Sequence, residues 1–225
     1  ATDDRHEVAE GTHNYVIDTY TTARGYTGVF PNAVQQGGDK LYAITHAVPD
    51  AKVVEVMGMG RTIIDYSGHG SNTSWAGPNV SQADVRSLTD VNALPFVISN
   101  ACITGDFRVS ESFAETWQRH NAGAIMFWGS MDSTYWDEDD ILERRMFDGI
   151  FQGGLRAFNK ITDHALSEHW RHYGGEGNGF FARQEVFDLV NLLAWLADPD
   201  AQIALFGVLR SPLFALDDAT LARVR

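Results

Sequence analysis

Cys102 is the only cysteine of the chain, and it closes the apolar run Pro95-Phe96-Val97-Ile98-Ser99-Asn100-Ala101. An earlier apolar run, Thr62-Ile63-Ile64-Asp65-Tyr66, breaks at Ser67 and delivers His69 between Gly68 and Gly70. A thiol attacks a carbonyl only as thiolate, and a neighbouring imidazole supplies both the base and the positive field that form it. Because a thiol ionises more readily than a hydroxyl, a Cys–His dyad suffices where serine needs more help. The glycines beside His69 permit a close backbone turn and leave room for an incoming peptide. The Gly70 amide, together with the amide of Cys102, is suited to bind a developing oxyanion. Taken singly, each residue also has a plain reading, a buried small hydrophobe for Cys102 and a structural histidine for His69. Their occurrence at the ends of two strand-like runs raises the catalytic reading above either residue alone.

The elements that must carry them follow from the apolar pattern. Residues 12–24 read as a helix ended by Gly25, residues 50–57 as a short helix, and residues 62–66 as a strand. Ser81 and Asp84 have the spacing of a capping box and open a helix to about residue 89. A strand over 96–100 leads into a tight loop at 103–106, then a helix over 110–120 and a third buried strand over 124–128. The acidic run Asp137-Glu138-Asp139-Asp140 suits the positive end of a helix reaching about residue 150. Residues 157–173 and 184–196 read as further helices separated by a glycine-rich turn at 174–179, with an edge strand at 203–207.

Strands that are continuously apolar and alternate with helices imply a mainly parallel sheet covered on both faces. Right-handed crossovers then bring the loops after Tyr66, Asn100 and Trp128 to one edge, where His69, Cys102 and residues 130–136 converge. Asp65 reads as a strand residue that hydrogen-bonds rather than as a catalytic acid. The expected fold class is a three-layer α/β/α sandwich forming one domain over residues 1–225.

Composition narrows the function. With 44% apolar residues and six tryptophans in 225 positions, the chain supports a well-buried core. A single cysteine excludes an internal disulfide. The net charge of −13 argues against a nucleic-acid partner, since phosphate contacts need a basic surface. No apolar run reaches membrane-spanning length, and no set of residues is assigned as a metal site.

The segments Tyr66-Ser67-Gly68-His69-Gly70-Ser71, Trp75-Ala76, Leu94-Pro95-Phe96 and Ala101-Cys102-Ile103-Thr104-Gly105-Asp106-Phe107 resemble the gingipain family of cysteine endopeptidases. The similarity continues through Ser112-Phe113-Ala114-Glu115 and Gly129-Ser130 to Tyr135-Trp136, covering about residues 60 to 150. The resemblance implies a caspase-like fold, Cys102 as nucleophile, His69 as general base and acid, and the Gly70 and Cys102 amides as oxyanion hole. It implies Trp136 as a wall of the primary specificity pocket, and Glu10, with Glu7 as an alternative, as the acid that binds a basic side chain. It also implies an acidic partner of His69 near Asp3 and Asp4.

The chemistry requires no cofactor. Calcium enters as a structural ion implied by the family, with Asp84, Asp106 and Asp132 as oxygen donors in acidic loops. The expected partners are protein or peptide substrates, together with an upstream cleaved fragment or second chain supplying strands that precede this region in the family. The expected location is secreted, cell-surface or periplasmic. A transpeptidase or processing peptidase uses the same dyad, and an inactive scaffold homologue keeps the strands while its dyad is misaligned.

Overall fold

The computed structural model describes residues 5–173 together with residues 192, 193, 196, 205, 208 and 209. The expected turn at 174–179, most of the helix at 184–196, the edge strand at 203–207 apart from residue 205, which is helical, and Asp3 and Asp4 lie outside the described residues. The chain divides after Ala165 into two compact units. In the second, the last turns of a helix end at His172, and the His169 ring lies 4.9 Å from that of Tyr173.

The first unit is built on a parallel sheet of β3 (Ile63–Ser67), β7 (Phe96–Asn100) and β8 (Met126–Gly129), in that order. Both pairings are parallel, as continuously apolar strands require. Alternation along each strand sends successive side chains to opposite faces. Val97, with Ile64, Tyr66 and Phe127, packs into one core with Val53, Val85, Phe113 and Trp117. Phe96 and Ile98, with Ile63, Met126 and Trp128, pack into the other with Val16, Met146, Phe147 and Ile161.

The helices on the first face are α2 (Asp50–Gly58), α3 (Gln82–Ser87) and α4 (Phe113–Arg119). Those on the second are α1 (His6–Val16), α5 (Trp136–Phe151) and α6 (Phe158–His172). Three layers result, in the expected caspase-like α/β arrangement. Both α3 and α4 open on full capping boxes, Ser81 with Asp84 and Ser112 with Glu115.

Two parts differ from expectation. The first helix starts at His6, six positions before the expected start, and after Val16 widens through a π turn (Ile17–Thr21) and then tightens through a 3-10 turn (Thr22–Arg24) before left-handed Gly25. Its early turns bury Glu10 and Thr12, polar residues that conceal the helical stripe. Residues expected as loop after Ser67 form an antiparallel meander of β4 (His69–Ser71), β5 (Ser74–Ala76) and β6 (Val80–Ser81). A short pair, β1 (Thr27–Gly28) and β2 (Gln35–Gln36), completes the described strands.

Candidate active site

Ser67 and Asn100 form the last register pair of β3 and β7, and the Gly68 amide donates to the Asn100 carbonyl at 3.2 Å. His69 and Cys102 each lie two residues beyond that pair, on neighbouring strands of a parallel sheet. Both therefore sit outside the carboxyl edge, where open α/β sheets bind ligands.

His69 is exposed and opens β4. Its carbonyl lies 2.8 Å from the Tyr66 hydroxyl, which also meets the Ala76 carbonyl at 2.7 Å and accepts from the Ala76 amide at 3.2 Å. Burial pushes the Tyr66 phenol up, so it stays a neutral donor. The same ring stacks on Trp75 at 4.4 Å, and Trp75 packs edge-on against Phe113 and donates to Ser99 Oγ at 2.9 Å. The meander bearing His69 is thus fixed to the core from beneath. Any side chain at position 68 would collide with the Tyr66 phenol.

Cys102 is half-buried. The Thr134 amide donates to its sulfur at 3.4 Å, and the Thr134 carbonyl lies 3.8 Å from the same atom. Ile103 follows at φ 51°, a left-handed conformation costly for a β-branched side chain. It is held there because its amide donates to Asp132 O at 3.1 Å, while the Gly105 amide donates to Ser130 O at 2.8 Å. The strand-to-loop turn at the thiol is therefore pinned to the loop that follows β8.

Gly70 fits against this turn so closely that a Cβ there would lie 2.8 Å from Ala101 Cβ, Cys102 O and Thr104 Cγ2. Trp136, half-buried at the start of α5, presents its ring edge-on to His69 at 5.8 Å. The structure thus gathers His69 with Trp136, Gly70 with the Cys102 turn, and Cys102 with Thr134. Beside them, Asp139 is bonded by Thr134, and burial pushes its carboxyl up to about 7.

Glu10 has a different setting. It is buried on α1, its carboxylate takes the Thr45 amide at 3.3 Å and the Thr45 hydroxyl, and it faces a partly open cavity of about 510 Å³. His13, Tyr42 and Asp65 share that lining. The acids expected to hold calcium are engaged elsewhere. Asp84 serves its capping box, Asp106 spends both oxygens on the Arg108 guanidinium, and Asp132 accepts from the Ser133 amide.

One cluster escaped the sequence reading. His13, Asp65 and Glu143 bring one ligand atom each to within 4.8 Å of one another. Burial, and then the Asp65 carboxylate, hold the Glu143 carboxyl well above the usual range. The available signal was an aspartate on the face of a strand otherwise turned to the core.

The model of Peptidase family C25 matches residues 1–204. Gingipain R2 of Porphyromonas gingivalis is 32% identical over 108 residues, which takes in 48% of this chain and 13% of that protein. Lys-gingipain HG66 of the same organism is 30% identical over 138 residues, 59% of this chain and 7% of that protein. The chain thus spans only a small part of the curated relatives it matches. The structure of the Arg-specific cysteine proteinase gingipain R superposes with a TM-score of 0.56 at 25% identity, over 60% of this chain and 33% of that one. A second solved protease gives a TM-score of 0.63 at 22% identity, over 80% of this chain and 41% of that one. With its family's match running through both ends of the described sheet, the chain is a member of peptidase family C25.

Proposed function

We propose that the chain carries the nucleophile and base of a cysteine endopeptidase, Cys102 and His69. The observation that carries this reading is the parallel register of β3 and β7, which leaves both residues two positions beyond Ser67 and Asn100 on adjacent strands. Membership of a cysteine peptidase family supports it.

In the proposed reaction His69 takes the Cys102 proton and the thiolate bonds to the scissile carbonyl carbon. The oxyanion that forms is met by the amides of Gly70 and Cys102. As the C–N bond breaks, protonated His69 gives its proton to the leaving amine, leaving a thioester. Water, deprotonated by His69, then adds to the thioester and returns the thiol. No step needs a metal or cofactor.

A basic P1 residue is the proposed preference, with Trp136 as the pocket wall. The net charge of −13 and the acidic start of α5 beside Trp136 support it, since they favour a cationic side chain there. The names of the Arg-specific proteinase and of Lys-gingipain point the same way. Glu10 enters only as the acid suggested by resemblance. Secretion or surface exposure, protein or peptide substrates, and association with a further segment or chain belong to the same proposal. A relative solved as a complex of pro- and mature domains supports the last. Among the described residues no helix is long and apolar enough to cross a membrane.

The test is a peptide-library cleavage profile of the chain beside Cys102→Ala, with and without added calcium. Labelling by a peptidyl chloromethyl ketone is read in parallel. Cleavage after Arg or Lys, with label lost in the variant, is the expected result. Label retained in Cys102→Ala, or no cleavage by a wild-type chain whose far-UV spectrum is folded, overturns the reading.

A further inference from the structure

On β3 and β7 the residues facing α1 and α5 change from apolar to polar toward the carboxyl edge, from Ile63, Phe96 and Ile98 to Asp65, Ser67 and Asn100. Glu143, from α5, enters this polar end with its side chain fully buried. One of its oxygens is satisfied, since Ser67 Oγ and Asn100 Nδ2 each donate to Oε2 at 2.9 Å. These two donors fix the carboxylate and turn Oε1 toward His13 Nδ1, 3.3 Å away. The same nitrogen lies 3.4 Å from Asp65 Oδ2.

Glu143 Oε1 and both oxygens of Asp65 are buried, and apart from His13 Nδ1 and one another they meet no hydrogen-bonding group among the described residues. Two carboxylates this close, removed from water, repel each other unless a cation or a proton lies between them. Such an arrangement is costly, since buried polar groups are ordinarily paired. His13 and Asp65 also line the 510 Å³ cavity, so one side of the cluster opens on space that admits water.

We propose that His13 Nδ1, Asp65 and Glu143 bind one divalent first-row transition cation, with water from the cavity completing its coordination. One imidazole nitrogen with two carboxylates suits zinc, iron or manganese; a calcium ion would want oxygen alone. Ser67 and Asn100 are the outer partners that orient the Glu143 ligand, as such sites require. The site clamps α1, β3 and α5 together. It is distinct from the dyad in its elements, since Asp65 lies within β3 and faces α1 and α5, whereas His69 opens β4 beyond the end of that strand. It stands whether or not the chain is a peptidase.

The test uses the full chain carrying Cys102→Ala, which removes the thiol as a competing ligand. Zn²⁺ is the probe, and bound metal after gel filtration is counted by atomic emission. One equivalent is expected, with a raised melting temperature. Adding His13→Gln, Asp65→Asn or Glu143→Gln should weaken binding about tenfold or more and remove the thermal shift. Three separate variants, each checked by circular dichroism, guard against a single misfolded one. Absence of stoichiometric zinc in the folded Cys102→Ala chain overturns the proposal and leaves a shared proton as occupant. Binding unchanged in the three variants overturns it equally, by assigning the metal to other histidines.

Discussion

The Thr134 amide donates to the Cys102 sulfur at 3.4 Å, and the Thr134 side chain bonds Asp139. The loop after β8 therefore links the thiol to a carboxyl that burial raises to about 7. An acid whose folded value is raised holds its proton after the unfolded chain has lost it. Its contribution to stability is full below about 4, the unfolded value, and is lost as pH rises through about 7. Asp139→Asn removes that slope. Melting temperatures at pH 5 and pH 8 should show the wild type losing more than the variant over this interval. The negative charge formed above pH 7 also opposes the thiolate, so iodoacetamide should alkylate Cys102 faster in Asp139→Asn at pH 8. Parallel melting curves and equal alkylation rates would contradict both expectations.

Gly70 leaves no room for a methyl group, because the atoms it would meet belong to Ala101, the Cys102 carbonyl and Thr104. Two of these are fixed by the backbone and cannot swing away. Gly70→Ala should cost about 1–3 kcal/mol of stability. By shifting β4 against the thiol turn, it should lower kcat about tenfold or more. A melting curve and active-site titration with a fluorogenic peptide separate lost fold from lost rate. A variant matching the wild type in both would refute the close fit.

The strands that end on Cys102 and His69 were legible because β3, β7 and β8 are buried on both faces and read as unbroken apolar runs. The capping box of Ser81 and Asp84 was equally plain, since its chemistry is local; the helix read from residue 110 instead caps at Ser112. The meander after Ser67 was not. Its strands are only two or three residues long and carry Ser71, Ser74 and Ser81, and they are held by Tyr66, Phe113 and Trp117 around Trp75, a tertiary cause with no local pattern. The cluster of His13, Asp65 and Glu143 was hidden for a related reason. Its members come from α1, β3 and α5, and no spacing along the chain relates them.

The two capping boxes give a second pH signature. In each, the serine hydroxyl accepts the N3 amide while the N3 carboxylate accepts the serine amide, at 2.8 Å for both Asp84 and Glu115. Ser81's hydroxyl and then its amide hold Asp84 below its ordinary value, and the Ser112 amide does the same for Glu115. Depressed acids contribute stability above their unfolded values, near 4, and lose it as pH falls through the lower folded values. Ser112→Ala should cost about 1 kcal/mol at pH 7. Urea unfolding at pH 7 and pH 3 should find that gap narrowed in acid. A gap of constant size would mean that the Ser112 hydroxyl takes no part in lowering Glu115, leaving that to the backbone amide the variant keeps.

Tyr66 separates the fixing of His69 from the packing of the core. Tyr66→Phe keeps the stack on Trp75 and loses only the hydroxyl that joins the His69 carbonyl to β5. Two carbonyls and the Ala76 amide lose a partner, so stability should fall by about 1–3 kcal/mol. Tyr66 acts as a positioning residue, since its hydroxyl meets the backbone of His69 and not its ring. Loosening that backbone moves the imidazole relative to Cys102 while leaving Trp136, the proposed pocket wall, in place. kcat should therefore fall while KM changes little, in a variant that still melts cooperatively. If the melting temperature drops and kcat is retained, the hydroxyl serves the fold alone and His69 is held by β4 without it.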